Sequence, residues 1–148
     1  MIDPKELRIG NTIQTNTGFV FDVNSIKHEW EAMEHIVYDE SVGYSVDLLS
    51  PIPITPEWLE QLGFEITDGE IIGETRKRSY TTYSIRDFEI DMFEDCDEYP
   101  TIKYWYAYTY EGKLSNVDVE IHYIHQLQNL YFALTGQELT VKELTPAP

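Results

Sequence analysis

Cysteine is almost missing from this chain: Cys96 is the only one in 148 residues. An internal disulfide is excluded, and with no charged-then-apolar leader ahead of Leu7 the expected setting is a reducing cytoplasm. Positive charge is scarce too, with 10 Lys and Arg against 27 Asp and Glu and a formal net charge of −17. Phosphate backbones are bound by neutralising them with Lys and Arg, so direct nucleic-acid binding is disfavoured and cationic partners are favoured. No apolar run approaches the roughly 18 residues of a membrane span, and an acidic surface is repelled by anionic lipid, so no membrane partner is expected. GxSxG, GxGxxG, P-loop, HExxH and paired CxxC motifs are all absent. Cys96 stands among Glu94, Asp95, Asp97 and Glu98, which disfavour the thiolate a nucleophile needs. The chain leans away from enzyme chemistry, and no cofactor is implied.

Apolar residues are plentiful. With 42% hydrophobic and 14% aromatic residues, the high charge does not mean disorder. The length suits a single domain, 1–148, with residues 144–148 a frayed tail. Asp3, Pro4 and Glu6 read as a capped single helical turn. Thr12 to Gln14 and Phe19 to Val23 read as strands around Asn16-Thr17-Gly18. Residues 27–50 are mixed: Trp30, Met33, Ile36 and Val37 match helical spacing, whereas Val42, Tyr44, Val46 and Leu48 match a period of two, giving a short helix or irregular arm and then a strand. Thr55-Pro56-Glu57 caps a helix through Trp58, Leu59 and Leu62 to Gly63. Strands are expected at Phe64 to Ile66 and Glu70 to Ile72 around a Thr67-Asp68-Gly69 turn, then at Tyr80 to Ile85, Phe88 to Met92, Ile102 to Tyr110 and Leu114 to His122. A helix from Tyr123 to Thr135 carries Ile124, Leu127, Leu130, Tyr131 and Leu134 on one stripe and stops at Gly136, with an edge strand at Leu139 and Val141. The class is α+β: a mainly antiparallel, meander-like sheet with two short-to-medium helices packed on it.

Three constellations stand out. Asp87, Glu89, Asp91, Glu94, Asp95, Asp97 and Glu98 form the densest charge, and strand alternation would align the first three about 6.6 Å apart while Phe88, Ile90 and Met92 turn inward. That row suits a basic protein, and equally a solvated outer face. Arg78 with Tyr106 and Tyr108 could contact an anionic, nucleotide-like ligand by charge and stacking, though four tyrosines in line also suit a packed layer. Asp118, Glu120, His122 and His125 are weak metal candidates without a ligand motif. His28 and His35 read as isolated, and EF-hand spacing is absent.

Glu6-Leu7-Arg8-Ile9-Gly10-Asn11, Pro51 through Phe64 and His125 through Leu139 together resemble a family of small proteins from Bacteroidetes-type bacteria and their phages. The resemblance covers about a quarter of the chain and supplies no catalytic or binding residues. It implies a cytoplasmic protein of phage or mobile-element origin. Joined to the charge, it leads to the expectation of a non-enzymatic inhibitor of a basic host protein that handles nucleic acid or serves defence. A small-ligand binder is the alternative, and a metal-dependent hydrolase the third reading. Gln126, Gln128 and Asn129 form a polar strip that helix packing alone does not explain, and they are a weak contact-site candidate.

Overall fold

The structure, a computed structural model, describes residues 1–72, 77–86, 88–93, 106–110, 113–115 and 121–142. Asp3 caps the first turn as the sequence requires, its Oδ1 accepting from the Lys5 N–H at 2.9 Å to close a 3-10 turn over Pro4–Glu6. Strands β1 (Thr12–Thr15) and β2 (Val20–Asp22) follow as an antiparallel pair, with Gly18 at φ +88 in their turn. Next come β3 (Ser25–Glu29), β4 (Glu34–Tyr38) and β5 (Gly43–Ser45), a three-stranded antiparallel sheet in chain order. A 3-10 turn, Val46–Leu48, leads into β6 (Leu49–Ser50), which pairs with β1 on the side away from β2. Helix α1 (Pro56–Gln61) starts on Thr55, whose Oγ1 accepts from the Trp58 N–H, and is followed by Gly63 at φ +91.

Strands β7 (Glu65–Ile72), β8 (Lys77–Ile85), β9 (Phe88–Phe93), β10 (Tyr106–Tyr110) and β11 (Lys113–Ser115) build a five-stranded antiparallel meander. Helix α2 (Ile124–Thr135) closes with Gly136 in the left-handed conformation at φ 69, as its place after the apolar stripe dictates. The chain gathers into two compact units: Met1–Leu62 with His122–Pro148, and Gly63–Ile121.

In the first unit, Ile2, Leu7, Ile13, Phe21, Val23, Val37 and Leu49 form one buried cluster, with Ile26 and Tyr44 packed on it. Leu59 of α1, Ile124, Leu127 and Tyr131 of α2, and Leu139 are buried as well. In the second unit Tyr83, Phe88 and Ile90 are buried while Glu89 is exposed, the alternation expected of a half-buried sheet.

The class is α+β, with corrections in detail. The expected single meander is divided among three antiparallel sheets: the strands of the first unit, only two to five residues long, form two separate three-stranded sheets, in one of which β6 returns to pair with β1. Within 27–50 the expected short helix or irregular arm is instead the β3–β4 hairpin, and the strand expected after it is β5, followed by the Val46–Leu48 turn and β6. Thr67, Asp68 and Gly69 do not turn: β7 runs straight through them, with Gly69 opposite Tyr80. Leu139 and Val141 form no strand; Leu139 is buried, and its carbonyl accepts from Gln128. Expectations for 101–105, 116–120 and 143–148 lie outside the described residues.

Candidate functional site

Of the seven acids nominated for protein binding, Glu89 is exposed on β9 and Asp91 lies on the same strand. Asp87, Glu94, Asp95, Asp97 and Glu98 fall outside the described residues. Arg78 sits on β8 opposite Ile71, and Tyr106 and Tyr108 sit on β10 opposite Met92 and Ile90. Of the four weak metal candidates, Asp118 and Glu120 lie outside the described residues, while His122 is exposed and His125 is buried. Among the described residues no group of three or more His, Cys, Asp or Glu side chains is placed to hold a metal ion. Nor, among them, is any helix long and apolar enough to cross a membrane.

The two terminal segments singled out in the sequence are clasped together. Arg8 binds Glu138 through both guanidinium ends at 2.7 and 3.1 Å, donates from Nε to Asn129 Oδ1 at 3.2 Å, and lies 4.1 Å over the Phe132 ring. Asn129 Oδ1 also accepts from Asn11 Nδ2, and its Nδ2 donates to the Glu6 carbonyl. Gln128 is wholly buried: its Oε1 accepts from the Thr12 N–H at 2.8 Å, and its Nε2 donates to the Leu139 carbonyl and Thr12 Oγ1 at 2.9 and 3.0 Å. Within the strip of Gln126, Gln128 and Asn129, Gln128 satisfies backbone groups that burial would otherwise orphan, Asn129 ties Arg8, Asn11 and the Glu6 carbonyl together, and Gln126 Oε1 accepts from the His122 N–H at 3.0 Å. His125 belongs to the same face of α2. Its Nε2 lies 3.3 Å from Glu6 Oε2, Tyr123 stacks on it at 5.9 Å, and its buried Nδ1 has no hydrogen-bond partner. The tautomer that suits these surroundings donates from Nε2 to Glu6 and leaves Nδ1 a bare acceptor. Burial pulls its pKa below the usual histidine value despite the opposing pull of Glu6.

Two surfaces of the first unit have the shape or exposure of a contact site. One is a cleft of about 380 Å³ lined by Phe19, Val20, Phe21, Asp22, Asp39, Glu40 and Ser41. Its aromatic wall is braced by Tyr44, whose ring lies 5.0 Å from that of Phe21. Asp39 accepts from the N–H groups of Val42 and Ser41, which hold its carboxyl below the ordinary range, so the rim is anionic. The other is the β3–β4 hairpin. Its four-residue loop, 30–33, presents Trp30 and Met33 at 78% and 77% exposure, with Glu29 and Glu31 exposed beside them. Glu29 and Glu34 are cross-strand partners at its mouth, an unfavourable like-charge pair, and Glu34 is half-buried, accepting from Ser45 Oγ. Met33 also adopts φ 54, the left-handed region that costs a non-glycine residue about 1–2 kcal/mol.

Sequence reading missed both surfaces. The helical spacing of Trp30 and Met33 disguised a loop, and nothing in the sequence brings Phe19 beside Asp39. Comparison of the chain with protein-family models, curated proteins and solved structures gives no match.

Proposed function

We propose that this protein is a non-enzymatic binding module for a basic protein and that the β3–β4 hairpin is its contact finger. The observation that supports the reading is the tip itself. Trp30 and Met33 are more than three-quarters exposed, and Met33 holds a left-handed backbone that glycine would adopt at lower cost. A side chain kept at such a position, with no packing to offset its strain, is accounted for by what it touches in a complex. Trp is the residue most often found as an interface anchor, and the surrounding Glu29, Glu31 and Glu34 select a cationic rim. Glu89 and the other acids of 87–98 extend the same electrostatic preference. The resemblance to proteins of Bacteroidetes-type bacteria and their phages makes a host nucleic-acid-handling or defence protein the expected partner, with this chain as its inhibitor.

The test is retention of a basic host protein by the full chain at low and high ionic strength, compared with a Trp30→Ala/Met33→Gly variant. The reading requires retention to fall with salt and with the double substitution. It fails if the double variant retains the same protein equally, or if the retained protein is acidic.

The cleft supports a second reading, a small-ligand site. An anionic rim on an aromatic wall suits an organic cation such as a polyamine and opposes a nucleotide. Thermal unfolding separates the readings, since a polyamine bound in the cleft raises the midpoint of the chain alone and an Asp39→Asn/Glu40→Gln variant loses that rise.

A further inference from the structure

His35 follows His28 by seven positions, a spacing that matches no helical ligand motif, yet the hairpin makes them direct cross-strand partners on β3 and β4. Partners in an antiparallel pair project to the same face. Here the two imidazole centroids stand 4.7 Å apart with their planes inclined at 51°. Next along that face come Ile26 and Val37, packed in the core, so the imidazoles sit where the core meets solvent. Trp30 closes the outer side, its ring edge-on to His28 at 4.5 Å and 89°. Shielded in this way, His28 Nδ1 is buried and has no hydrogen-bond partner.

Two half-buried imidazoles side by side, one with an orphan ring nitrogen, are a donor set for a borderline metal ion. With metal–nitrogen bonds of about 2.0–2.1 Å, each ring centroid lies roughly 3.2 Å from the ion, and ligand angles of about 90–120° then separate the centroids by about 4.5–5.5 Å. The observed 4.7 Å lies inside that range. Imidazole selects Zn²⁺, Ni²⁺ and Cu²⁺ over Ca²⁺ and Mg²⁺, which prefer oxygen. The protein's charge of −17 raises the local concentration of any divalent cation, and Glu29, Glu31 and Glu34 add to that field at the hairpin itself.

We propose that His28 and His35 together bind one transition-metal ion of the Zn²⁺, Ni²⁺ and Cu²⁺ class, leaving the remaining coordination positions to water. The ion would tie β3 to β4 directly beneath Trp30 and hold the hairpin tip in one arrangement. This site is separate from the four metal candidates of the sequence, and it does not depend on the protein-binding reading.

The experiment uses the untagged full chain, stripped of metal by a chelator and titrated with Zn²⁺, Ni²⁺, Cu²⁺ or Ca²⁺ alone. Tryptophan fluorescence reports binding because Trp30 touches His28, and calorimetry gives the stoichiometry. One ion per chain is expected, with Cu²⁺ bound more tightly than Ni²⁺ or Zn²⁺, and affinity should fall on acidification as protons compete for the imidazoles. His28→Gln and His35→Gln should each weaken binding about tenfold or more, whereas His122→Gln should leave it unchanged. A second measurement needs no variant: sub-stoichiometric Ni²⁺ should broaden the ring NMR signals of His28 and His35 before those of His122 and His125. Equal affinity in the His28→Gln/His35→Gln double variant overturns the proposal. So does the absence of saturable binding, Ca²⁺ binding as tightly as Zn²⁺, or first broadening at His122.

Discussion

Gln128 shows at the scale of one residue why a polar group can be worth more than an apolar one in a core. It occupies a fully buried position on α2 and answers a donor and an acceptor of the backbone, the Thr12 N–H and the Leu139 carbonyl. Replacing it with Leu keeps the volume and orphans both, so Gln128→Leu should lower the unfolding free energy by about 2–4 kcal/mol. Gln126 is half-buried; its Oε1 accepts from the His122 N–H at 3.0 Å and its Nε2 lies 3.4 Å from Glu6, but both bonds are exposed and water can replace them, so Gln126→Ala should cost about 1 kcal/mol or less. Urea unfolding at neutral pH measures both, and similar costs for the two would deny Gln128 its role. His125, one helical turn earlier, ties stability to pH. Its folded-state pKa is lowered by burial, so between that value and the unfolded value near about 6.5 the unfolded chain binds more protons. Its contribution is therefore complete above about pH 6.5 and is lost progressively as pH falls through that window. Glu6 opposes the effect by favouring the charged ring, without reversing it. His125→Phe should flatten the loss of stability between about pH 7 and 5.5 relative to the native chain, and parallel profiles for the two would count against this assignment.

The β3–β4 hairpin is the element in which local rules conflict most, and the conflict gives a sharp prediction. Met33→Gly removes a left-handed non-glycine residue and should raise stability by about 1 kcal/mol, while removing an exposed anchor and weakening partner retention. A residue serving the fold would move both quantities in the same direction; a residue serving contact moves them apart. Thermal unfolding and retention measured on one preparation decide between these. The same hairpin explains what the sequence could and could not convey. Elements with terminal chemistry were legible: Asp3, Thr55, Gly63 and Gly136 punctuate the chain where the structure begins and ends its turns and helices. The hairpin was not, because Trp30, Met33, Ile36 and Val37 satisfy a period near 3.6 by coincidence. Its true period of two, Ile26 and His28 against His35 and Val37, is hidden by histidines that score as polar. Thr67-Asp68-Gly69 carried turn chemistry that pairing across eight residue positions of β7 overrode. Of the candidate sites, the charge was legible and the aromatic cleft was not, since the latter joins β2 to the loop after β4 through tertiary packing alone.

At the scale of the whole molecule the acidic character is not confined to the 87–98 segment. The first unit carries 13 acidic and 4 basic side chains and the second 14 and 6, so each is strongly anionic by itself. One of the four cations of the first unit, Arg8, is paired with Glu138, which leaves 12 acids against three cations and the same excess of nine negative charges on the rest of that unit. The first unit is also discontinuous in sequence, yet its two pieces close on each other by their own bonds. The Ile54 N–H donates to the His122 carbonyl at 3.0 Å, the Ile124 N–H to the Ile52 carbonyl at 2.9 Å, and the Lys142 N–H to the Gln61 carbonyl at 3.0 Å, while Gln128 and Arg8 bind across the same seam. A unit whose seam is sealed internally should survive loss of the segment between. Replacing residues 63–121 with a flexible Gly/Ser linker of about eight residues, with a mean span of about 15 Å, should leave a chain that unfolds cooperatively. Its ring signals for Tyr123 and His125 should match those of the full chain. It should also keep a retained basic partner if the hairpin is the contact, and lose that partner if the acids of 87–98 are. Cooperative folding with the partner lost would thus move the interface to the second unit, and a chain without a cooperative transition would show that the first unit does not stand alone.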